Sequence, residues 1–408
     1  MQASLVDANI TPSKSFEEAV MALQAHKSEV ATDYGDEQDA MAEYRRAGEE
    51  RAMALGNRGP IRFNADGSLA EDIVEAYWRC GFYVFTGVLG EEELADIETD
   101  IANILERSPV TEGARVDLHG RPAITNDCAA PTLFWARPLS DPFGGTDIAN
   151  GRHPARMFEP QAASDAPEKI IYLILGSLQF SDACLRVYGH PGLLGVAAAI
   201  HGPDFTPFNE ALFIKQPGLG SSVAWHQDGV THWDSPDFDQ GSHGFNFMAQ
   251  LYGSTSANGL WLVPGTHKLG KQDIKAMVAE AGSDRLPDAV PMLCAPGDVG
   301  ISNRQTLHGS FANTSSDTRV TVNFGFHRRS SVLGITAGGV HNAVATYDEA
   351  RIHERARLIA YAIDARGQRF PHEDRFVYQP YVGQEGEYRW NDAARASLKD
   401  YNLLDLSI

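Results

Sequence analysis

Cysteine is scarce, at 4 in 408 residues. Cys80, Cys128, Cys184 and Cys294 lie far apart and form no C-x-x-C pair, so neither a zinc ribbon nor a disulfide framework is indicated, and all four read as reduced thiols. Long apolar runs are also missing. None reaches the ~18 residues of a membrane span, and no basic segment followed by an apolar stretch stands at the N-terminus, so a cytoplasmic protein without membrane contact is expected. Basic charge is the third shortage. With 34 Lys and Arg against 54 Asp and Glu, the formal net charge of -20 repels phosphate backbones and disfavours nucleic acid as a partner. A neutral or cationic small molecule is mildly favoured, although an acidic surface commonly serves solubility alone.

Apolar mass is present. At 43% hydrophobic residues the chain can bury a large core, and one catalytic domain with elaborations is the simplest partition. Within it, the polar stretch Trp225-His226-Gln227-Asp228 stands out. Residues i and i+2 of an extended segment point the same way, so His226 and Asp228 can reach one ion together, with His308 arriving from another strand. Two imidazoles and one carboxylate occupy one face of an octahedral Fe(II) and leave the opposite face open. An isolated His-x-Asp occurs often by chance. Here, however, Gly309-Ser310 follows His308, and Arg319 opens the alternating run Arg319-Val320-Thr321-Val322-Asn323-Phe324. A guanidinium on that strand suits bidentate binding of a dicarboxylate.

These pieces resemble the phytanoyl-CoA dioxygenase family of Fe(II)- and 2-oxoglutarate-dependent oxygenases. The resemblance rests on Trp225-His226-Gln227-Asp228, the turns Pro264-Gly265-Thr266-His267 and Pro296-Gly297-Asp298, and His308-Gly309-Ser310 followed by Arg319, in the family's order. It implies that His226, Asp228 and His308 bind iron. It further implies that Arg319 grips the distal carboxylate of 2-oxoglutarate with Ser310 beside it, that Asn209 offers the co-substrate an amide, and that Trp233 fills a nearby aromatic position. The implied fold is mainly β, a double-stranded β-helix (a cupin-like jelly roll) with flanking helices. The implied reaction uses O2 to hydroxylate an unactivated carbon of a small molecule, with release of succinate and CO2. Asp228 fills the position that related halogenases leave open for chloride, so hydroxylation is expected over chlorination. The alternative is a non-catalytic jelly-roll module whose trio holds a metal or ligand, but structural zinc sites are usually closed by four protein ligands rather than three.

Periodicity and turn residues divide the chain into a helical extension over 1–60, a catalytic domain over 61–340 and a helical C-terminal extension over 341–408 packed on the core. In the first, Ser15-Phe16-Glu17-Glu18 reads as a capping box, and a second helix runs from near Asp36 to Gly56. These helices either pack on the core or form the arm of a homodimer, packing being the simpler outcome. Ser68-Leu69-Ala70-Glu71 predicts a capped helix ending near Gly81, followed by a strand at Phe82–Phe85 and a helix over 91–107. Residues 108–168, rich in Pro, Gly and Asp, read as a long loop of the kind that forms lids and binding sites. Substrate recognition is expected in 141–147 and 229–241. Apolar segments at 169–180 and 190–201 predict helices. Short strands at 211–215, 244–252, 259–263, 290–293, 299–302 and 320–326 predict an antiparallel sandwich, closed by helices at 347–366 and 392–403. His232, His243, His267, His327 and His341 read as structural or solvated, and Arg304 either forms a salt bridge within the protein or meets an acidic substrate group, the internal pairing being the simpler outcome.

Overall fold

The computed structural model describes residues 33–228, 244–338 and 344–405. The capping box expected at Ser15 lies outside them. The helix expected between Asp36 and Gly56 is Gln38–Ala54, preceded by a 3-10 turn at Gly35–Glu37. It packs on the core rather than projecting from it. Met41 is fully buried, and Tyr44 stacks on Trp261 with ring centroids 4.6 Å apart. Gly48 lies so close to the same indole that a Cβ there would sit 2.4 Å from a ring carbon.

Twelve strands build the body: β1 (Arg58–Gly59), β2 (Phe82–Phe85), β3 (Leu133–Ala136), β4 (Ile170–Leu175), β5 (Thr206–Lys215), β6 (Val223–His226), β7 (Gly244–Gln250), β8 (Trp261–Leu262), β9 (Val290–Pro291), β10 (Val299–Asn303), β11 (His308–Ser310) and β12 (Arg319–His327). They form an 8-stranded sheet in the order β1-β2-β10-β7-β12-β5-β4-β3 and a 4-stranded sheet in the order β6-β11-β8-β9. From β5 onward the chain alternates between them: β5, β7, β10 and β12 lie in the large sheet, and β6, β8, β9 and β11 in the small one. That alternation is the winding of a double-stranded β-helix. β1 to β4 extend its large sheet at both edges.

Strand side chains point alternately to the two faces, and in the large sheet the two sets differ in chemistry. Phe245, Phe247 and Ala249 of β7, with Val320, Val322, Phe324 and Phe326 of β12, join the main apolar core with helices Glu71–Cys80, Glu91–Glu106, Asp182–Tyr188, Pro191–His201 and Glu349–Arg369. Truncating one such phenylalanine to alanine costs about 3 to 5 kcal/mol. The opposite set carries Asn246 and Gln250 on β7 and Arg319 and Thr321 on β12. Thr321 Oγ1 donates to Gln250 Oε1 at 2.8 Å, so this inner face is held by hydrogen bonds.

Two local expectations fail for physical reasons. The segment Ile-Ile-Tyr-Leu-Ile-Leu, expected within a helix over 169–180, is the fully buried strand β4. Its β-branched and aromatic content favours a strand, and burial on both faces removes the alternation that would reveal one. Helix Glu71–Cys80 forms and ends at Gly81 with φ 84°, but Ser68 does not cap it. The Ser68 hydroxyl donates to Asp66 Oδ1 at 2.6 Å instead, and helix entry falls to Ala70 with no side-chain cap.

Candidate metal centre

β6 and β11 are antiparallel neighbours in a register that sets His308 opposite His226. Their rings consequently meet, with centroids 4.0 Å apart. Asp228 follows two residues after His226, its backbone N–H donating to the carbonyl of Arg304 at 2.7 Å. His226 Nε2 stands 3.5 Å from Asp228 Oδ1, and His308 Nε2 3.8 Å from Oδ2. One donor atom from each of the three lies within 4.8 Å of the others. Metal bonds of about 2.1 Å at right angles put neighbouring donors about 3 Å apart, so the three donors need close in only slightly on an ion.

Both imidazoles are aimed by the backbone. His226 Nδ1 lies 2.8 Å from the carbonyl of Ala224, and His308 Nδ1 2.8 Å from the carbonyl of Thr306. A carbonyl only accepts, so each Nδ1 carries the proton and each Nε2 presents its lone pair to Asp228. Burial depresses both imidazole pKa values, so the rings are neutral ligands. For Asp228 burial acts upward, but the Arg152 guanidinium, with Arg304 behind it, holds its carboxyl well below the usual range. Two neutral nitrogens and one ionised carboxylate, with the rest of the coordination sphere left to other ligands, make a donor set that fits iron.

Arg152 and His153 escape the sequence reading. Arg152 Nη1 donates to Asp228 Oδ1 at 2.8 Å in an ion pair buried on both sides. His153 is buried with its ring centroid 4.2 Å from that of His226 and 4.9 Å from that of Phe143. Both belong to the 108–168 loop. Asp141, at the start of the 141–147 segment expected to carry substrate choice, closes this loop on itself: Oδ1 accepts from Gly144 N at 2.8 Å and Oδ2 from Met157 N at 2.9 Å. The loop meets the metal ligands directly through Arg152 and His153. Only its length and composition pointed there, since Arg-His-Pro has no ligand spacing. Asn246, on the inner face of β7, donates Nδ2 to Asp228 Oδ2 at 3.2 Å.

The other expected residues fall as follows. Ser310 is buried two residues beyond His308 on β11. Arg319, buried at the start of β12, donates Nε to Thr321 Oγ1 at 2.9 Å and Nη1 to the carbonyl of Asn258 at 2.8 Å. Burial pushes its pKa down to about 10. Asn209 lies on β5, but its side chain is outside the described residues, as are Trp233, His232, His243, His341 and the whole of 229–241. His267 is structural, with Nε2 3.0 Å from the carbonyl of Trp78. Arg304 forms no salt bridge among the described residues. Its guanidinium carbon lies 3.8 Å from the Phe208 ring centroid and its Nη1 meets His327 Nε2.

The sequence model of the phytanoyl-CoA dioxygenase (PhyH) family matches residues 77–321. A phytanoyl-CoA dioxygenase of Arabidopsis thaliana is 22% identical over 268 residues, 62% of this chain and 87% of that protein. Phytanoyl-CoA dioxygenase 1 of Oryza sativa subsp. japonica is 30% identical over 115 residues, which span 26% of this chain and 38% of the rice protein. Among solved structures, EctD from S. alaskensis with 2-oxoglutarate and 5-hydroxyectoine is 18% identical with a TM-score of 0.46, covering 71% of this chain and 83% of that one.

Proposed function

The chain belongs to the phytanoyl-CoA dioxygenase family, and from that premise we propose that it hydroxylates an unactivated carbon of a small molecule, using Fe(II), 2-oxoglutarate and O2 and releasing succinate and CO2. The observation that carries the reading is the donor set of His226, Asp228 and His308, with both Nε2 atoms turned toward the carboxylate. These three residues would hold the iron. Bound iron supplies the redox chemistry that couples decarboxylation of 2-oxoglutarate to oxidation of the substrate.

The rest of the work belongs to the protein. Arg319 anchors the distal carboxylate of 2-oxoglutarate: its Nε and Nη1 are tied to Thr321 and Asn258, which fixes the plane of the guanidinium before a ligand arrives. Ser310 lies on the same side of β11 as His308 and adds a hydroxyl beside that site. Arg152 and Asn246 hold the Asp228 carboxylate in one orientation. His153, backed by Phe143, covers His226 on the loop side and helps keep bulk water from the centre.

Anaerobic titration tests the reading. The wild-type protein binds one Fe(II), and 2-oxoglutarate binds tightly only once iron is present. A substrate screen read by O2 uptake then yields succinate in step with hydroxylated product. A wild-type protein that binds neither iron nor 2-oxoglutarate overturns it.

A further inference from the structure

The molecule is strongly acidic overall, yet the interior beside its metal ligands is cationic. Arg152 comes from the 108–168 loop and Arg304 from the turn between β10 and β11. Both are buried, Arg304 completely. Arg152 has one described partner, Asp228, and its Nε has none. Among the described residues Arg304 has Nε and Nη2 without a hydrogen-bond partner and is held by the Phe208 ring and His327 instead. His153 Nδ1, next to Arg152, also lacks a partner among them. Arg304 is joined to Asp228 through the backbone, its carbonyl accepting from the Asp228 N–H at 2.7 Å.

Leaving such N–H groups unpaired in a buried site is costly, and a charged donor more so than a neutral one. The charge balance points the same way. Bound iron and Arg319 would together offset Asp228 and the dianionic co-substrate, which leaves the two guanidiniums of Arg152 and Arg304 without a further counter-charge among the described residues. A neutral or cationic substrate would leave that imbalance standing, because net surface charge is screened over about 10 Å whereas a buried pair is screened far less.

We propose that Arg152 and Arg304, with His153 beside them, form a subsite for an anionic group, a carboxylate or a phosphate, carried by the oxidised substrate. This deepens the oxygenase reading and rests on it. Arg152 is the nearer contact: it keeps its bond to Asp228 through Nη1 and offers the anion its remaining N–H edge. Arg304 supplies the second charge from behind. The anion thereby places the target carbon against the open side of the metal centre, and substrates lacking it bind poorly whatever their shape.

The test uses the anaerobic Fe(II) protein saturated with 2-oxoglutarate, titrated calorimetrically with acetate, inorganic phosphate and methylammonium. Wild type binds one or both anions and rejects methylammonium, the stronger anion telling carboxylate from phosphate. Arg152→Gln, which keeps a hydrogen bond to Asp228 but loses the charge, holds iron less tightly as a weaker support of Asp228, so it is titrated with iron and 2-oxoglutarate raised to saturation, where its anion binding is weakened at least about tenfold. Arg304→Gln does the same, and if it fails to fold, Arg152→Gln decides alone. Anion binding undiminished in Arg152→Gln, or a preference for methylammonium, overturns the subsite. Wild type that takes up iron and 2-oxoglutarate but no anion removes the subsite and spares the oxygenase, whereas failure to bind iron and 2-oxoglutarate removes both.

Discussion

Two carboxylates in this molecule are equally hidden, Asp228 and Asp405 each being 2% exposed, yet they are used in opposite ways. Asp405 accepts from Arg355 Nε at 2.8 Å and Nη2 at 3.1 Å, from Tyr347 Oη at 2.9 Å and from Arg351 Nη2 at 3.2 Å. A carboxylate offers about four lone-pair sites, and four donors converge on Asp405, three on Oδ1 and one on Oδ2. It fastens the last described residue to helix Glu349–Arg369. Asp228 accepts from Arg152 and Asn246, one bond on each oxygen among the described residues, and keeps lone pairs for something else. The two regions meet at Phe208, whose carbonyl receives Arg355 and whose ring carries Arg304. Depth of burial does not separate a fastening from a ligand; the unused acceptor capacity does.

Removing ligands breaks the comparison most severely. His226→Ala and His308→Ala lose turnover and weaken iron binding by more than about 100-fold, since even a supporting partner is worth 10 to 100-fold; circular dichroism shows the fold intact. Asp228→Ala loses iron likewise and also leaves Arg152 buried opposite no carboxylate, a cost of about 3 to 5 kcal/mol visible in urea unfolding. Full activity with stoichiometric iron in any of the three contradicts the assignment.

Asp405→Ala inverts the pattern. It strands Arg355 in the interior and costs about 3 to 5 kcal/mol of stability, while iron affinity per folded molecule is unchanged. A variant that unfolds no more readily than wild type would show that filling a carboxylate does not make it structural.

Arg319→Ala acts on one ligand alone, raising the 2-oxoglutarate requirement by a factor of about 30 or more, from a loss of about 2 to 5 kcal/mol. Arg319→Lys recovers part of it. An unchanged KM for 2-oxoglutarate moves the anchor elsewhere.

The smallest effect concerns Glu210, buried beside Asp405 and accepting from the Tyr401 hydroxyl. Burial pushes its carboxyl up to about 7 from an ordinary 4.5. Because the folded-state value is the higher one, its contribution to stability is fully present below pH 4.5 and is lost as pH rises toward 7, by at most about 1.4 kcal/mol per pH unit. Glu210→Gln keeps an acceptor for Tyr401 and cannot ionise. The melting temperature of wild type relative to Glu210→Gln therefore falls between pH 4.5 and 7, and parallel profiles would show that Glu210 does not titrate there.

Legibility in the sequence follows the range of each interaction. His226 and Asp228 are readable because a two-residue spacing on a strand is a geometric statement, and the β5 to β12 strands because short β-prone runs lie between Gly and Pro turns. Arg152 is not readable: its pairing with Asp228 spans 76 residues and depends on Asp141 folding the loop, neither of which leaves a local pattern. β4 is misread because a fully buried strand and a buried helix are both uniformly apolar. The acidic composition says nothing of where Arg152 and Arg304 are buried, because composition averages over surface and site.

Helix Gln38–Ala54 raises a question of timing. It braces the small sheet from outside: Tyr44 donates its hydroxyl to the carbonyl of Leu286, 242 residues later, and stacks on Trp261 of β8, the strand paired with β11. At 5 to 20 residues per second, roughly 10 to 50 s of synthesis separate the emergence of Tyr44 from that of its partner. Throughout that interval Met41 and Tyr44 lack Trp261 and Leu286, the later residues they pack with. The strand bearing His308 therefore gains the outer support of helix Gln38–Ala54 only after most of the chain has been made.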